Sequence, residues 1–327
     1  MTSNTVLVTG GTGFIGSYVA ADLVEHDHGV VAYDRSTDTR ILEKLGVAGA
    51  VDVRGGDVTD PADVVRAVRE TGATHVVHLA ALLTTSARAN PRAAMGVNVE
   101  GTNNVLEAAR TLGEQVERVA WASSAAVYAP PANYRSGGNE AGWVTESDLV
   151  YPDTLYGATK EYNEHQARVY AEEFGVSTVG LRPTVAYGPY RETGGSAFLA
   201  NLVEKPAVGE PFAVEYGDQA IDWQYVRDVA QAFRRAAFTP EGRLSRRVYN
   251  VRGELATIRE AADVVERVVP DADIDVSAEG ELPWTQALDT SAAREELGYE
   301  PEYDLERGVR EYVDVLRAEA GLEPLSG

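Results

Sequence analysis

Asn4-Thr5-Val6-Leu7-Val8-Thr9-Gly10-Gly11-Thr12-Gly13-Phe14-Ile15-Gly16 opens the regular pattern of this chain: a short apolar strand to Thr9, a glycine turn, then helical spacing to about Glu25. Strand, glycine turn and helix in that order are the context that makes a Gly-rich motif informative. Gly10 permits the tight turn, Gly13 lets a pyrophosphate approach the backbone, and Gly16 allows the helix to pack close on the strand. The helix N-terminus, at Phe14 and Ile15, faces the anion. The spacing is Gly-x-x-Gly-x-x-Gly, where Gly-x-Gly-x-x-Gly is the more familiar form. The stretch is read as a dinucleotide site at the head of an α/β fold.

The chain beyond continues the alternation. A second strand, Gly29 to Tyr33, ends at Asp34, placed to accept hydrogen bonds from ribose hydroxyls. Its charge would repel a 2′-phosphate, which favours NAD over NADP, although Arg35 follows it. Val51 to Arg54 is a third strand, leading to Asp57 and Val58, placed to meet an adenine edge and face. Helical spacing then runs from Pro61 to Glu70, and His75 to Leu79 is a fourth strand, continuing into Ala80, Ala81, Leu82, Leu83 and Thr84. His75 and His78 belong to the strand, since no metal-ligand cluster accompanies them. A helical stretch from Pro91 to Arg110 carries Asn98, and a fifth strand, Arg118 to Ala122, ends at Ser123-Ser124-Ala125-Ala126-Val127-Tyr128. Such alternation specifies a doubly wound parallel sheet with ligands at the carboxyl ends of its strands. Ala129 to Asp153, rich in Pro, Gly and Asn, is expected to loop over the site.

Tyr156-Gly157-Ala158-Thr159-Lys160 opens a helical run to about Phe174. Residues four apart share a helix face, so an ammonium stands beside a phenol. A neighbouring cation lowers a tyrosine pKa from its reference near 10, which suits the phenol to proton exchange with a hydroxyl. Composition sharpens this pair. The chain of 327 residues carries 29 basic and 51 acidic residues, a net charge of -22, and its only lysines are Lys44, Lys160 and Lys205. Lys160 is a residue type the sequence otherwise avoids. The acidity argues against nucleic-acid or anionic-membrane partners and suggests adaptation to high salt, where self-repulsion is screened. With no Cys, thiolate sites and disulfides are excluded. No signal-peptide pattern or spanning apolar run is seen, so a cytoplasmic protein is expected.

The glycine motif, Asp57-Val58, His78-Leu79-Ala80-Ala81, Asn98, Ser123 to Tyr128 and Tyr156 to Lys160, in that order, resemble the extended short-chain dehydrogenase/reductase superfamily, the NAD-dependent epimerase/dehydratase group. The resemblance covers nearly the whole chain. It implies Tyr156 as acid/base, Lys160 as the residue that lowers its pKa and holds the nicotinamide ribose, and Ser124 as donor to the reacting oxygen, with Ser123 the weaker candidate. It also implies NAD contacts from Gly10, Gly13, Phe14, Ile15, Gly16, Asp34, Arg35, Asp57, Val58, Leu79, Ala80, Ala81, Asn98 and Pro183. A Rossmann domain of residues 1–182 plus about 218–252 is implied, with a smaller discontinuous α/β substrate domain of about 183–217 plus 253–327, and a homodimer through the helices holding Asn98 and Tyr156.

Members acting on nucleotide sugars commonly carry Asn where Val185 stands and an Arg-Asp pair where Ile221-Asp222 stands. Aliphatic groups do not grip a diphosphate. Leu82 to Thr84 and Leu282-Pro283-Trp284 are similar to members that oxidise small hydroxy amino acids and sugar acids. Thr84, Ser124, Ala125, Thr184 and Ser196 are then substrate-facing candidates, and Arg191, Arg227 and Arg252 are candidates to hold a carboxylate. The expected activity is NAD-dependent oxidation of a small polyhydroxylated substrate. A sugar-nucleotide epimerase or dehydratase is the alternative. A silent NAD-sensing or scaffold protein is a third, against which Ser124, Tyr156 and Lys160 together argue.

Overall fold

The computed structural model describes residues 4–130, 143–284 and 287–325. Its larger sheet is built from β1 (Thr5–Thr9), β2 (Gly29–Asp34), β3 (Val51–Gly55), β4 (His75–His78), β5 (Arg118–Ala122) and β6 (Thr178–Pro183), joined at one edge by a strand from late in the chain, Val248–Val251. All seven strands are parallel, in the order Val248–Val251, β6, β5, β4, β1, β2, β3. The order reverses between β1 and β4, the crevice where ligands bind in such sheets. The near-continuous apolar runs of the strands are explained by helices on both faces. The helix α1 (Phe14–Glu25) and a later helix, Val226–Phe238, cover one face through Tyr18, Leu23, Val229 and Phe233. At the margin of that face lies α2 (Arg40–Lys44), through Leu42; the other face is covered by α3 (Pro61–Thr71), α4 (Thr84–Ala89), α5 (Pro91–Ala94), α6 (Gly101–Thr111) and α7 (Leu155–Phe174), with Val64, Leu106 and Trp121 among the core there. Met95 to Glu100, between α5 and α6, forms a π-helical turn, a local widening that often marks a functional site.

The smaller lobe comprises β7 (Val185–Tyr187), α8 (Asn201–Ala207), β8 (Phe212–Val214), β9 (Ala220–Tyr225), β11 (Glu254–Thr257), α10 (Ile258–Val268), β12 (Ile274–Val276) and α11 (Leu305–Glu319), with α9 (Val226–Phe238) and β10 (Val248–Val251) returning to the larger lobe. A three-stranded sheet β11-β9-β7 and a two-stranded sheet β12-β8 enclose a separate core of Leu199, Leu202, Trp223, Val265 and Tyr312. The structure differs from the sequence reading at β9. Its Ile221, Trp223 and Tyr225 are buried in this second core, so the strand pairs with β7 and β11, and the chain rejoins the larger lobe only at Val226. The chain thus crosses between lobes at Thr184, at the Tyr225–Val226 bond and at Arg252-Gly253, and Ala292, Ala293, Leu297 and Tyr299 return to the core of the larger lobe before α11 packs in the smaller one. Of the expected loop from Ala129 to Asp153, residues 131–142 lie outside the described residues; Tyr128 bridges Val150 and Val144 bridges Leu288. Among the described residues, no helix is long and apolar enough to cross a membrane.

Candidate active site

The glycine turn is closed on every side but one. A Cβ on Gly16 would lie 2.0 Å from the Gly10 carbonyl oxygen, and one on Gly10, whose φ is +70°, would lie 2.9 Å from the Ala80 nitrogen. Gly13 is exposed, and a Cβ there would meet only the Gly10 oxygen, at 3.3 Å. Gly13 is also the N-cap of α1, whose first turn has no side-chain cap and no acidic residue. Uncapped N–H groups beside an open glycine are the cradle a pyrophosphate needs. Asp34 stands at its rim, accepting from the Thr12 and Ser36 backbone N–H groups at 3.3 and 3.2 Å, while Arg35 is exposed. These residues fit a dinucleotide.

Other expected cofactor contacts are placed differently. Val58 is buried, with its side chain against Gly101 of α6. The carboxylate of Asp57 accepts from the Thr59 N–H and hydroxyl, each at 2.9 Å. Asn98 is fully buried, and its amide is consumed by the Leu82 N–H (2.7 Å), the Leu82 carbonyl (3.0 Å) and the Thr159 hydroxyl (3.1 Å). It is therefore a positioning residue: the π-helical turn brings its amide to the backbone of Leu82, which leads into Leu83 and Thr84. Leu79, Ala80 and Ala81 are half-buried at the carboxyl end of β4. The Thr9 hydroxyl accepts from the Leu79 and Ala80 N–H groups and meets His78 Nδ1 at 2.7 Å. His78 Nε2 reaches Thr102, whose hydroxyl donates to the Asn98 carbonyl, so the proton of this imidazole is assigned to Nε2. Burial, with the Lys160 charge second, pushes His78 down to about 3 and keeps it neutral.

Ser124, Tyr156 and Lys160 converge at the carboxyl end of β5. Helix α7 begins at a Thr154 cap that accepts from the Gly157 N–H at 3.0 Å, and a Cβ on Gly157 would stand 2.1 Å from the Ala126 oxygen. Only glycine lets the helix approach the Ser124–Val127 turn that closely, and that approach brings Tyr156 into a hydrogen bond with Ser124. The Ser124 hydroxyl also accepts from the Ala126 N–H at 3.1 Å, with Ala125 between them. Lys160 is buried, donates to the Ala122 carbonyl at 2.6 Å and lies 5.6 Å from the Tyr156 ring centre. Here the expected lowering of the Tyr156 pKa is reversed. Burial pushes Tyr156 up to about 12 against the Ser124 hydrogen bond, and burial pushes Lys160 down to about 8. In this desolvated setting the loss of water outweighs the Ser124 hydrogen bond.

Behind this set lies a residue that the sequence reading missed. Glu164 is one turn beyond Lys160, accepts from Ser123 at 2.5 Å and pairs in a fork with Arg182 at 2.8 and 2.6 Å. Ser123 is consequently occupied, which leaves Ser124 as the serine beside Tyr156. The i, i+4 spacing from Lys160 was the available signal. Arg182 also donates to the Tyr128 hydroxyl, which donates to Asn250. Beyond it, Pro183 is half-buried, and the Thr184 hydroxyl is buried without a partner among the described residues.

On the other wall, Arg191 donates to the Ala186 carbonyl and to the Ser196 hydroxyl. Gly194 and Gly195 bring this loop against Leu83 and Thr84. Arg227 is elsewhere: it pairs with Glu311 at 2.6 Å and lies over Tyr18, because α9 starts beside α1 and α11. Arg252 donates to the Leu288 carbonyl and lies over the Trp143 ring.

The model of the NAD dependent epimerase/dehydratase family matches residues 6–251. UDP-glucuronate 4-epimerase 1 of Arabidopsis thaliana is 29% identical over 94% of this chain and 75% of its own. The solved UDP-glucose 4-epimerase of Thermus thermophilus, in complex with NAD, is 30% identical, with a TM-score of 0.79 over 96% of this chain and 99% of that one. An L-threonine dehydrogenase from Cupriavidus necator, in its holo form, is 26% identical, with a TM-score of 0.82 over 96% and 99%.

Proposed function

The chain belongs to the NAD-dependent epimerase/dehydratase family and is an NAD-dependent enzyme of the extended short-chain dehydrogenase/reductase type; from that premise we propose that it is a cytoplasmic dehydrogenase of a small polyhydroxylated substrate, a sugar, sugar acid or hydroxy amino acid. NAD, when bound, supplies the acceptor for the hydride that leaves the carbinol carbon as the hydroxyl proton departs and a carbonyl forms. Gly13 and the first turn of α1 would hold the pyrophosphate, and Asp34 the adenosine ribose. Ser124 donates to the reacting oxygen. Tyr156 exchanges the hydroxyl proton, and Lys160 supplies the cation that favours phenolate as the proton is taken.

The observation that carries the choice of a small substrate is at β9. Ile221 is a core residue, 2% exposed, and Asp222 is a buried anion that accepts from the Leu288 N–H at 3.2 Å and lies 3.7 Å from Arg252. Neither supplies a cation to grip a diphosphate. The second reading, a sugar-nucleotide 4-epimerase, is favoured by the epimerases among the relatives. The two differ in net redox chemistry, since an epimerase accumulates no NADH. Incubation with free NAD and a panel of polyols, sugar acids and hydroxy amino acids at high salt is expected to yield NADH. Tyr156→Phe is expected to abolish that turnover while leaving NAD affinity within a few-fold; a variant with the wild-type rate would remove Tyr156 from the chemistry. We also propose a homodimer through the face of α7 and the π-helical turn, where Met95, Tyr162 and Val169 are about half exposed.

A further inference from the structure

Arginines drawn into this fold are paired. Arg182 faces Glu164 at 2.6 Å, Arg118 faces Glu241 at 2.9 Å, and Arg234 faces Asp22 at 2.6 Å. Arg191 breaks the pattern. It is largely withdrawn from solvent, and burial pushes its pKa down to about 10. Yet no carboxylate of a described residue lies within salt-bridge distance, in a chain of net charge -22. Its two bonds go to neutral oxygens, the Ala186 carbonyl and Ser196 Oγ, the latter at 2.6 Å. A guanidinium has five donors, so most of its capacity is unused. A desolvated cation without a counter-charge is a standing penalty that a structural loop pin does not require.

Its position connects this charge to the site. A Cβ on Gly194 would be 3.3 Å from Arg191 Nη2 and 3.3 Å from Leu83 Cδ1, and one on Gly195 would be 3.8 Å from Thr84 Cβ. The Leu83-Thr84 stretch follows Leu82, which Asn98 clamps; Asn98 also bonds Thr159, whose hydroxyl donates to the Tyr156 carbonyl at 2.7 Å. Arg191 and Tyr156 are therefore linked through the Leu82-Leu83-Thr84 strip. We propose that Arg191, oriented by Ser196, is the carboxylate anchor of the substrate pocket, so that the preferred substrates are hydroxy acids. A planar fork matched to two carboxylate oxygens gains most when both charges are desolvated together, and a neutral polyol offers no such match. The inference rests on the dehydrogenase reading for its kinetic test but not for its binding test.

Two matched pairs of probes separate the outcomes: galacturonate against galactose, and glycerate against glycerol. With NAD, the wild-type enzyme is expected to favour the acid of at least one pair by about a hundredfold in kcat/KM. Arg191→Met is expected to lose about that factor on the acid, chiefly through KM, while staying within about threefold on the neutral partner. Arg191→Lys, which keeps the charge but not the fork, is expected to fall between them. NAD affinity and melting temperature report whether the variants are folded. Equal loss on acid and neutral partner would reduce Arg191 to a loop pin and overturn the proposal, as would equal wild-type rates within both pairs. If no probe yields NADH, the dehydrogenase reading fails on these substrates and the anchor is judged by melting of the NAD-loaded protein. A rise with the acids alone, lost in Arg191→Met, upholds the anchor; no rise overturns it.

Discussion

Lys160→Met is expected to abolish turnover and yet make the protein more stable near neutral pH. The reason is the burial that pushes the Lys160 ammonium from an ordinary 10.5 to about 8. A lysine that holds its proton less tightly in the folded than in the unfolded chain destabilises the folded state wherever both are protonated. The size of this drop corresponds to ~3 kcal/mol. Replacing the side chain also leaves the Ala122 carbonyl without its donor, which costs about 1 kcal/mol. The net expectation is a variant more stable by ~2 kcal/mol at pH 7. The pH dependence is the sharper test. Below pH 8 both states of the wild type carry the proton and the penalty is complete. Between about 8 and 10.5 the unfolded chain holds a proton that the folded chain has released, so wild-type stability rises with pH; above that the penalty is gone. The variant has no such rise, and the order of stability is expected to invert near pH 10. Denaturant or thermal unfolding of both proteins at one fixed KCl concentration, across pH 7 to 10, measures this. A variant less stable than wild type at pH 7, or a gap that does not narrow with pH, would refute the reasoning.

Gly16→Ala places a methyl group 2.0 Å from the Gly10 oxygen, so the turn must open; NAD affinity is expected to fall at least about tenfold, by fluorescence titration, with a stability loss of ~1–3 kcal/mol. Glu164→Ala strands Arg182 and releases Ser123, and unfolding is expected to become easier by ~3–5 kcal/mol, read from the denaturation midpoint. Net charge -22 predicts a melting temperature that climbs with KCl; equal melting at low and molar salt would remove the high-salt reading.

The layered alternation, the glycine turn and the Tyr-Lys pair were legible because each is written locally, in periodicities and spacings of two to seven residues. Even the far strand Val248–Val251 and the last helix, Leu305–Glu319, are bounded where their patterns end. What escaped is long-range. Asn98 looks like a ligand contact until the π-helical turn hides it behind Leu82. Arg227 looks like a free cation until α11 brings Glu311 to it. The direction of the Tyr156 pKa depends on how dry its surroundings are, and four-residue spacing carries no information about that. Ile221 is apolar in the sequence, but its place in the second core is set by the pairing of its strand with β11 and β7, which lie far away along the chain on either side.

The short crossings between the lobes at Thr184, Tyr225–Val226 and Arg252-Gly253 have a mechanical consequence. They contain one residue at Thr184, none between Tyr225 and Val226, and two at Arg252-Gly253. A Cβ on Gly253 would already lie 2.3 Å from the Trp223 oxygen, so even the longest of them is jammed. Two bodies joined by several such short links swing less freely than two joined by one long linker. Admission of a substrate and escape of a product then fall to segments that bend, such as Gly188–Ser196, rather than to a clamshell motion.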